Sequence, residues 1–367
     1  MKRIAIKEVC EVYDGPHATP KKTDNGPVYL GIDAITEDGM LDPSQFAHLS
    51  EEDYVKWTKR VTPQENDIVF SYEATLGRYA VIPKNFYGCL GRRLAIVRII
   101  NDELNAKWLY YYFRSPEWTS FIKNQTVKGS TVDRISIEEF PEYTIPVISL
   151  EDQNKIVDVL DKIDRKIADN KKINDYLEQQ ALLIFRYMFK NISNGSNHVG
   201  DYITPKRGKA LLSKDAIPGQ FPVIAGGLLP ATYHNRANTV APVLTISGSG
   251  ANAGYVNIWH DPIWSSDSSF IDYEMTTNVY FWYAFLKLRQ QDIFDIQTGS
   301  AQPHIYPKHI AELSIGNMDR FQIASYITQV TPLFTKAGAN IRETKRLQQL
   351  RDWLLPMLMN GQVTIED

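Results

Sequence analysis

The 367-residue chain is poor in cysteine, in long apolar runs and in net charge, and each shortage excludes a class of protein. Its two cysteines, Cys10 and Cys89, are too few for a disulfide framework or a zinc cluster. No run of eighteen apolar residues occurs, so no transmembrane helix is predicted, and the first residues lack the apolar core of a secretion signal. We therefore expect a folded protein of the reducing cytoplasm.

Recognisable catalytic motifs are also missing. No glycine-rich loop ends in the Lys-Ser or Lys-Thr pair that holds nucleotide phosphates, and no Asn/Asp-Pro-Pro-aromatic box of an adenine methyltransferase occurs. Residues 247–254 are glycine-rich, but the pattern after them predicts a strand, whereas a dinucleotide fingerprint requires a helix. The histidines show no metal-ligand spacing. The sequence therefore predicts neither a catalytic site nor a metal site.

What the chain does contain is an internal repeat with a spacing of 170 residues. The motif GSTVDRI begins at Gly129 and GSAQPHI begins at Gly299, and a long helical pattern follows each copy. The ends of these patterns, LEQQ from Leu177 and LQQL from Leu347, lie the same distance apart. We interpret this as a globular module followed by a long helix, used twice.

Each module is predicted to mix strands and helices. Short runs rich in β-branched and aromatic residues, bounded by Gly, Pro, Asn and Asp, predict strands, and residues 108–113 predict a helix. Three segments of the second module correspond to segments of the first: 222–227 to 27–31, 243–247 to 68–71, and 281–286 to 108–113.

A capping box at Ser149 predicts the start of the first long helix. Ten core positions alternate by four and three from Ile156 to Met188, which predicts a coiled-coil helix of roughly 38 residues, about 57 Å long. Asn170 and Asn174 fall in this seam, where buried polar residues set the register of pairing. A single amphipathic helix packed on a core is the alternative.

The second long helix is predicted to carry a seam of the same spacing, at Ile323, Ile327, Val330, Phe334, Ala337, Ile341 and Thr344. The seam then slips by three residues to Leu347 and continues near Leu354 and Leu358. Pro332 should kink this helix because proline removes a backbone hydrogen bond, and Gly338 also lies inside it. Antiparallel pairing of the two seams within one chain is the simplest arrangement, and pairing between chains is the alternative.

The predicted fold is therefore α+β, with two mixed α/β modules separated by two long helices that form an antiparallel, pseudo-twofold symmetric coiled coil. Its predicted parts are a first module at 1–149, a central helix at 150–192, a linker at 193–198, a second module at 199–317, a C-terminal helix at 318–360 and a tail at 361–367.

Basic residues crowd the predicted turns of both modules, although a net charge of −3 argues against a nucleic-acid partner. Arginine reads guanine and glutamine reads adenine, while lysine and backbone amides hold phosphates. A solvated surface charge is the alternative for each residue, but the recurrence at equivalent turns favours DNA. The residues expected to contact DNA are Lys21, Lys22, Tyr72, Arg78, Arg92, Arg93, Lys128, Arg134, Lys206, Arg207, Lys209, Arg236, Ser249, Gln302 and His304.

These features resemble the specificity subunits of type I restriction-modification systems. The resemblance covers essentially the whole chain and is carried by residues 150–157, 170–179, 299–305 and 354–361. It implies two target-recognition domains, each reading one half of a split, asymmetric DNA sequence. It also implies that the helices set the gap between the halves and dock two methyltransferase subunits, which restriction subunits then join in a system of phage defence.

The resemblance further implies a chain without catalysis, because S-adenosylmethionine, ATP and magnesium would belong to the adenine methyltransferase and endonuclease partners. Asp133-Arg134 replaces the Pro303-His304 of the second motif, and the second module is smaller, so the two half-sites should differ. The recognition residues of such families vary, and the DNA-contact residues above depend on turn position and chemistry alone. A coiled-coil scaffold without a nucleic-acid role is the main rival, and a self-contained restriction or methylation enzyme is disfavoured.

Overall fold

The computed structural model describes residues 2–128, 132–299 and 302–365. The chain divides into two compact units: the first comprises residues 1–165 and 347–367, and the second comprises 166–346. Within the described ranges, no helix combines the length and apolar character that a membrane span requires. Five residues of the repeated motif lie outside the described residues: Gly129, Ser130, Thr131, Ser300 and Ala301.

The strands of the first unit form three small sheets. One has the order β2-β8-β5-β6, a second has the order β4-β3-β7 with β3 and β7 parallel, and β1 pairs antiparallel with β9. The strands are β1 Lys2–Ala5, β2 Cys10–Asp14, β3 Thr23–Leu30, β4 Ala47–His48, β5 Ile68–Ser71, β6 Tyr79–Val81, β7 Gly88–Leu90, β8 Leu94–Ile99 and β9 Thr144–Val147.

Among the described residues, five α-helices belong wholly or partly to this unit: α1 Glu51–Trp57, α2 Ala106–Phe113, α3 Pro116–Gln125, α4 Leu150–Met188, which continues into the second unit, and the 347–359 part of α8 Arg320–Met359. The Asn105 side chain caps α2 by accepting hydrogen bonds from two backbone N–H groups. Every residue of α2 from Trp108 to Phe113 is buried, because a helix that is apolar all round lies inside the core.

The core of the first unit joins its module to both long helices. Aromatic side chains fill its centre, and the Phe113 and Trp118 ring centres lie 4.6 Å apart. Leu160 on α4 and Leu355 near the end of the chain belong to the same apolar cluster. Residues 347–359 therefore complete a core whose other members come from residues 1–165.

The second unit repeats these sheets strand for strand. Its sheet orders are β11-β17-β14-β15 and β13-β12-β16 with β12 and β16 parallel, and β10 pairs antiparallel with β18. This agreement confirms the internal repeat. The strands are β10 Asn197–His198, β11 Lys206–Arg207, β12 Phe221–Ile224, β13 Thr232–His234, β14 Val243–Ser247, β15 Val256–Trp259, β16 Trp264–Ser265, β17 Ser268–Asp272 and β18 Ser314–Ile315.

The helices of the second unit are α5 Val279–Leu288, α6 Gln290–Asp295, α7 Pro307–Ala311, the 166–188 part of α4 and the 320–346 part of α8 Arg320–Met359. Like α2, α5 is buried along its middle, and it packs on the long helices through Phe281, whose ring centre lies 5.4 Å from that of Phe185. All three predicted correspondences between the modules are confirmed, because β3 and β12, β5 and β14, and α2 and α5 hold the same places.

Helix α4 begins at the predicted cap, where the Asp152 N–H donates to Ser149 Oγ over 3.1 Å, and it continues for 39 residues. In the second unit it runs antiparallel to α8. Asn170 Nδ2 donates to Glu343 Oε2 over 2.9 Å, and Asn340 Nδ2 donates to Asn174 Oδ1 over 2.8 Å. The predicted antiparallel pairing is confirmed, and it occurs within one chain.

One detail of α8 differs from the prediction. Ile341 is 48% exposed and its neighbour Asn340 is buried in its place, because Asn340 hydrogen-bonds across the seam. The helix is continuous from Arg320 to Met359, and the kink expected at Pro332 stays a prediction. Gly338 has a packing role, because a Cβ there would lie 2.8 Å from the Cβ of His260.

Candidate nucleic-acid interface

In the first unit, three segments converge beside the end of β5. The Tyr72 N–H donates to the carbonyl of Arg93 over 3.1 Å, and the Ile135 N–H donates to the carbonyl of Tyr72 over 2.8 Å. An isolated antiparallel bridge pairs Glu73 with Arg134. These backbone contacts, called here the frame, bring the loop after β5, the turn before β8 and the first copy of the repeated motif together.

The second unit builds the same frame at the end of β14. The Gly248 N–H donates to the carbonyl of Asp267 over 3.0 Å, and the Ile305 N–H donates to the carbonyl of Gly248 over 3.0 Å. An isolated antiparallel bridge pairs Ser249 with His304. The second copy of the repeated motif therefore holds the same place in the second unit as the first copy holds in the first unit.

Charged side chains of opposite sign meet at the frame of the first unit. Arg93 Nε lies 3.1 Å from Glu73 Oε1, and both side chains are 31% exposed. At the end of β2, Asp14 Oδ1 accepts a hydrogen bond from Arg60 over 2.7 Å. Burial raises the pKa of the Tyr72 hydroxyl, and the negative charges of Asp14 and Glu73 raise it further.

The frame of the second unit carries a different charge pattern. Arg207, at the end of β11, forms an ion pair with Asp267, and the Ser249 hydroxyl donates a hydrogen bond to the same carboxylate. Gly248 makes room for this pair, because a Cβ there would collide with the Arg207 guanidinium. The His304 ring stacks on Tyr306 with ring centres 6.0 Å apart.

Most of the basic residues expected to contact DNA are exposed, and within the described residues they make no ion pair. Their charges are therefore open to phosphates. The polar Gln302 is also exposed, and Arg236 is exposed with its guanidinium 6.0 Å from the Trp264 ring centre. The unpaired basic residues are Lys21, Lys22, Arg92, Lys128, Arg134, Lys206 and Lys209.

Two of the expected DNA contacts have structural roles. Tyr72 is 6% exposed and packs in the core of the first unit, because its backbone lies at the centre of the frame. Arg78 Nη1 donates to the carbonyl of Ile35 over 3.0 Å, and its Nε is buried without a hydrogen-bond partner among the described residues. Both side chains therefore have structural contacts within the first unit, and their contact with DNA stays a prediction.

The sequence search missed the acidic members of the frame. Asp14, Glu73 and Asp267 were not expected to contact DNA, because the prediction considered basic and neutral polar side chains at turns and no carboxylates. The signal that finds them is positional: Asp14 is the last residue of a strand, Glu73 and Asp267 come two residues after one, and each of these strands has a counterpart in the other module. Among the described residues, no group of three or more His, Cys, Asp or Glu side chains is placed to hold a metal ion.

Comparison with known proteins relates the chain to one family. The model of the type I restriction modification DNA specificity domain matches residues 1–179. The chain is 23% identical over 361 residues to the type I restriction enzyme MjaIX specificity subunit of Methanocaldococcus jannaschii, over 87% of this chain and 82% of that protein. The crystal structure of the type I restriction-modification S subunit from M. genitalium has the same fold, with a TM-score of 0.57 and 19% identity over 97% of this chain and 95% of that one.

Proposed function

The chain belongs to the family of type I restriction modification DNA specificity domains, and from this premise we propose how it recognises DNA. Each unit reads one half of a split target with the side chains that its frame presents. The observation that carries this proposal is one backbone frame built twice, with different side chains each time. A repeated scaffold with unlike contact residues suits a target whose two halves differ.

The unpaired basic residues beside the frames supply the contacts to phosphate. Contacts to phosphate fix the position of a protein on DNA, whereas contacts to base edges select the sequence. A net charge of −3 is low for a protein that binds DNA alone. We therefore propose that methyltransferase subunits share the phosphate contacts in the assembled restriction-modification complex.

In this proposal the chain is non-catalytic, and its helices both set the gap between the half-sites and dock two methyltransferase subunits. The buried asparagine layer of α4 and α8 supports a fixed register, because each buried amide must meet its partner on the facing helix. Restriction subunits join the same complex. S-adenosylmethionine, ATP and magnesium act in these partners.

Methylome sequencing tests the proposal. Cells that express the chain with its own methyltransferase subunits should carry adenine methylation in one bipartite, asymmetric sequence, and cells without the chain should lack it. Replacement of residues 199–316 by the second module of a relative should change one half of that sequence only. Methylation without a split motif, or a change in both halves, would contradict independent reading by the two units.

A further inference from the structure

Four positions around each frame correspond between the units. The end of β2 and the end of β11 are equivalent. Asp14 pairs with Ala95, which comes two residues after the turn residue Arg93, and Arg207 pairs with Ser269, which comes two residues after the turn residue Asp267. The other three positions follow from the shared backbone hydrogen bonds. We call these sets the readout clusters: Asp14, Glu73, Arg93 and Arg134 in the first unit, and Arg207, Ser249, Asp267 and His304 in the second.

The two readout clusters exchange the places of acid and base. The first has a carboxylate at the strand end, Asp14, and a guanidinium at the turn, Arg93. The second has a guanidinium at the strand end, Arg207, and a carboxylate at the turn, Asp267. Because the backbone hydrogen bonds are retained while the charges are reversed, the frame does not depend on these side chains. Side chains that the scaffold does not require are free to serve recognition.

Backbone strain also concentrates at the first readout cluster. Arg93 has a φ of 73° and Ala74, next to Glu73, has a φ of 68°. The other non-glycine residues with positive φ among the described residues are Asn66 and Asn85, and asparagine tolerates this region. Unfavourable backbone conformations persist where the surrounding structure enforces them, and they cluster at functional sites. Here the frame enforces the turn that places Arg93 beside Glu73.

We infer that Glu73 and Asp267, the two carboxylates that form ion pairs with arginines inside the readout clusters, select bases together with those arginines. This inference rests on the proposed function and names the side chains that carry its specificity. Arginine donates two hydrogen bonds to guanine O6 and N7, and a carboxylate accepts from the N4 amino group of cytosine. Each half-site therefore contains at least one G·C pair.

In the free chain, the two ion pairs are partly exposed to solvent, so their carboxylates and guanidinium groups can exchange each other for DNA bases. Glu73 and Arg93 are each 31% exposed, and Arg207 and Asp267 are 38% and 36% exposed. Ion pairs that solvent reaches contribute little to stability, so each partner gives up the other for a base edge at small cost. In the absence of DNA, each carboxylate orients its arginine and offsets its charge.

The test uses the assembled complex with its own methyltransferase subunits and a binding selection from random DNA, followed by methylome sequencing. Glu73→Gln removes the charge but retains the size of the side chain and replaces one acceptor by a donor. It should reduce discrimination for cytosine at one position of one half-site by about tenfold to a hundredfold, with adenine gaining, and leave the other half unchanged. Asp267→Asn should do the same in the other half-site.

Glu52→Gln is the matched control, because Glu52 is an exposed carboxylate of the same unit that lies 3.0 Å from Lys56 on α1, outside the frame. This variant should leave the target unchanged. If the wild-type complex selects a bipartite target while Glu73→Gln and Asp267→Asn keep its full discrimination, the inference is wrong and the proposed function stands. Thermal unfolding checks that the variants fold. If either variant is unstable, Glu73→Asp is used, which keeps the negative charge but shortens the side chain by one methylene. Unaltered discrimination for cytosine in this variant would also overturn the inference.

Discussion

At the scale of single residues, Asp164 connects three helical segments of the first unit. Arg351 Nη1 donates to Asp164 Oδ1 over 2.8 Å, and the Tyr111 hydroxyl donates to Oδ2 over 2.9 Å. The Arg351 side chain is only 8% exposed. One carboxylate therefore joins α2, α4 and the last helical segment, and water reaches little of the pair.

Arg351→Ala should destabilise the first unit by about 2 kcal/mol, because it leaves the buried Asp164 with only the more distant Arg114, 3.8 Å away, as a charged partner. The free energy of unfolding from chemical denaturation measures this loss. Asp352→Ala is the control, since Asp352 lies 3.1 Å from the same arginine but is mostly exposed, and it should cost less than about 1 kcal/mol. Equal losses in the two variants would show that burial does not govern the pair.

The basic residues of the proposed contact surface could be selected from composition at turns, and the acidic residues could not. Lys128 and Arg134 stand out in sequence because phosphate attracts them, and the structure leaves both exposed. Glu73 and Asp267 become visible only when long-range pairing places them against an arginine. Tyr72 shows a different limit. The local sequence does not distinguish an exposed loop tyrosine from one that is buried in the core, as Tyr72 is.

At the scale of elements, the packing of α8 against the β15–β16 turn depends on the absence of a side chain. Gly338 faces His260, and the His260 ring centre lies 6.1 Å from that of Phe334. Burial lowers the pKa of His260 to about 4, so the ring is neutral at pH 7. An uncharged ring can remain in this apolar contact, and the helix must leave space for it.

Gly338→Ala should lower the stability of the second unit, although alanine is the better helix former by about 1 kcal/mol. The added Cβ would lie 2.8 Å from the His260 Cβ, and backbone or ring must shift to relieve it. Thermal unfolding measures the sign. Ala339→Gly, at the exposed neighbouring position, is the control and should cost about 1 kcal/mol through propensity alone. A rise in stability for Gly338→Ala would contradict the packing argument.

Both long helices and the seam positions of Asn170 and Asn174 could be predicted from periodicity, whereas the partners of these asparagines on α8 could not. A seam of apolar residues recurs every three to four positions whatever it packs against, so the pattern survives in the sequence. At Ile341 the pattern selected the wrong residue. The buried position belongs to Asn340, whose partner Asn174 lies 166 residues away in the chain. A pattern of apolar residues does not reveal a buried asparagine whose amide is hydrogen-bonded to a distant residue.

At the scale of the whole molecule, the sequence repeat predicted the duplication but not the sheets. Local signals located β5 and β14, while the order of strands depends on pairs such as β2 with β8 that are far apart in sequence. The structure supplied those pairings, and with them the equivalence of Asp14 and Arg207. Because the module is duplicated, each unit can be compared with the other, and the positions at which their side chains differ become evident.

If the helices set the gap between half-sites, lengthening both by one heptad should lengthen the gap. Seven residues add about 10 Å of helix, which corresponds to about three base pairs of DNA. Matched insertions beside Asn170 and Asn340 keep the seams in phase. Methylome sequencing should then report the same half-sites with a longer spacing.

An insertion of seven residues at the exposed loop of Leu228 and Leu229 is the control for this experiment. It adds the same length of chain outside both helices and should leave the spacing unchanged. An unchanged spacing after the helix insertions, in a complex that still assembles and methylates, would refute the role of the helices as a spacer.

The division of the chain into units gives them different histories during synthesis. The second unit is contiguous, from 166 to 346, but the first waits for residues 347–359 before Leu160 and Asp164 are covered. The first unit therefore cannot complete its core until residues 347–359 have been synthesised. A chain truncated before residue 347 would leave the apolar surface around Leu160 exposed to solvent.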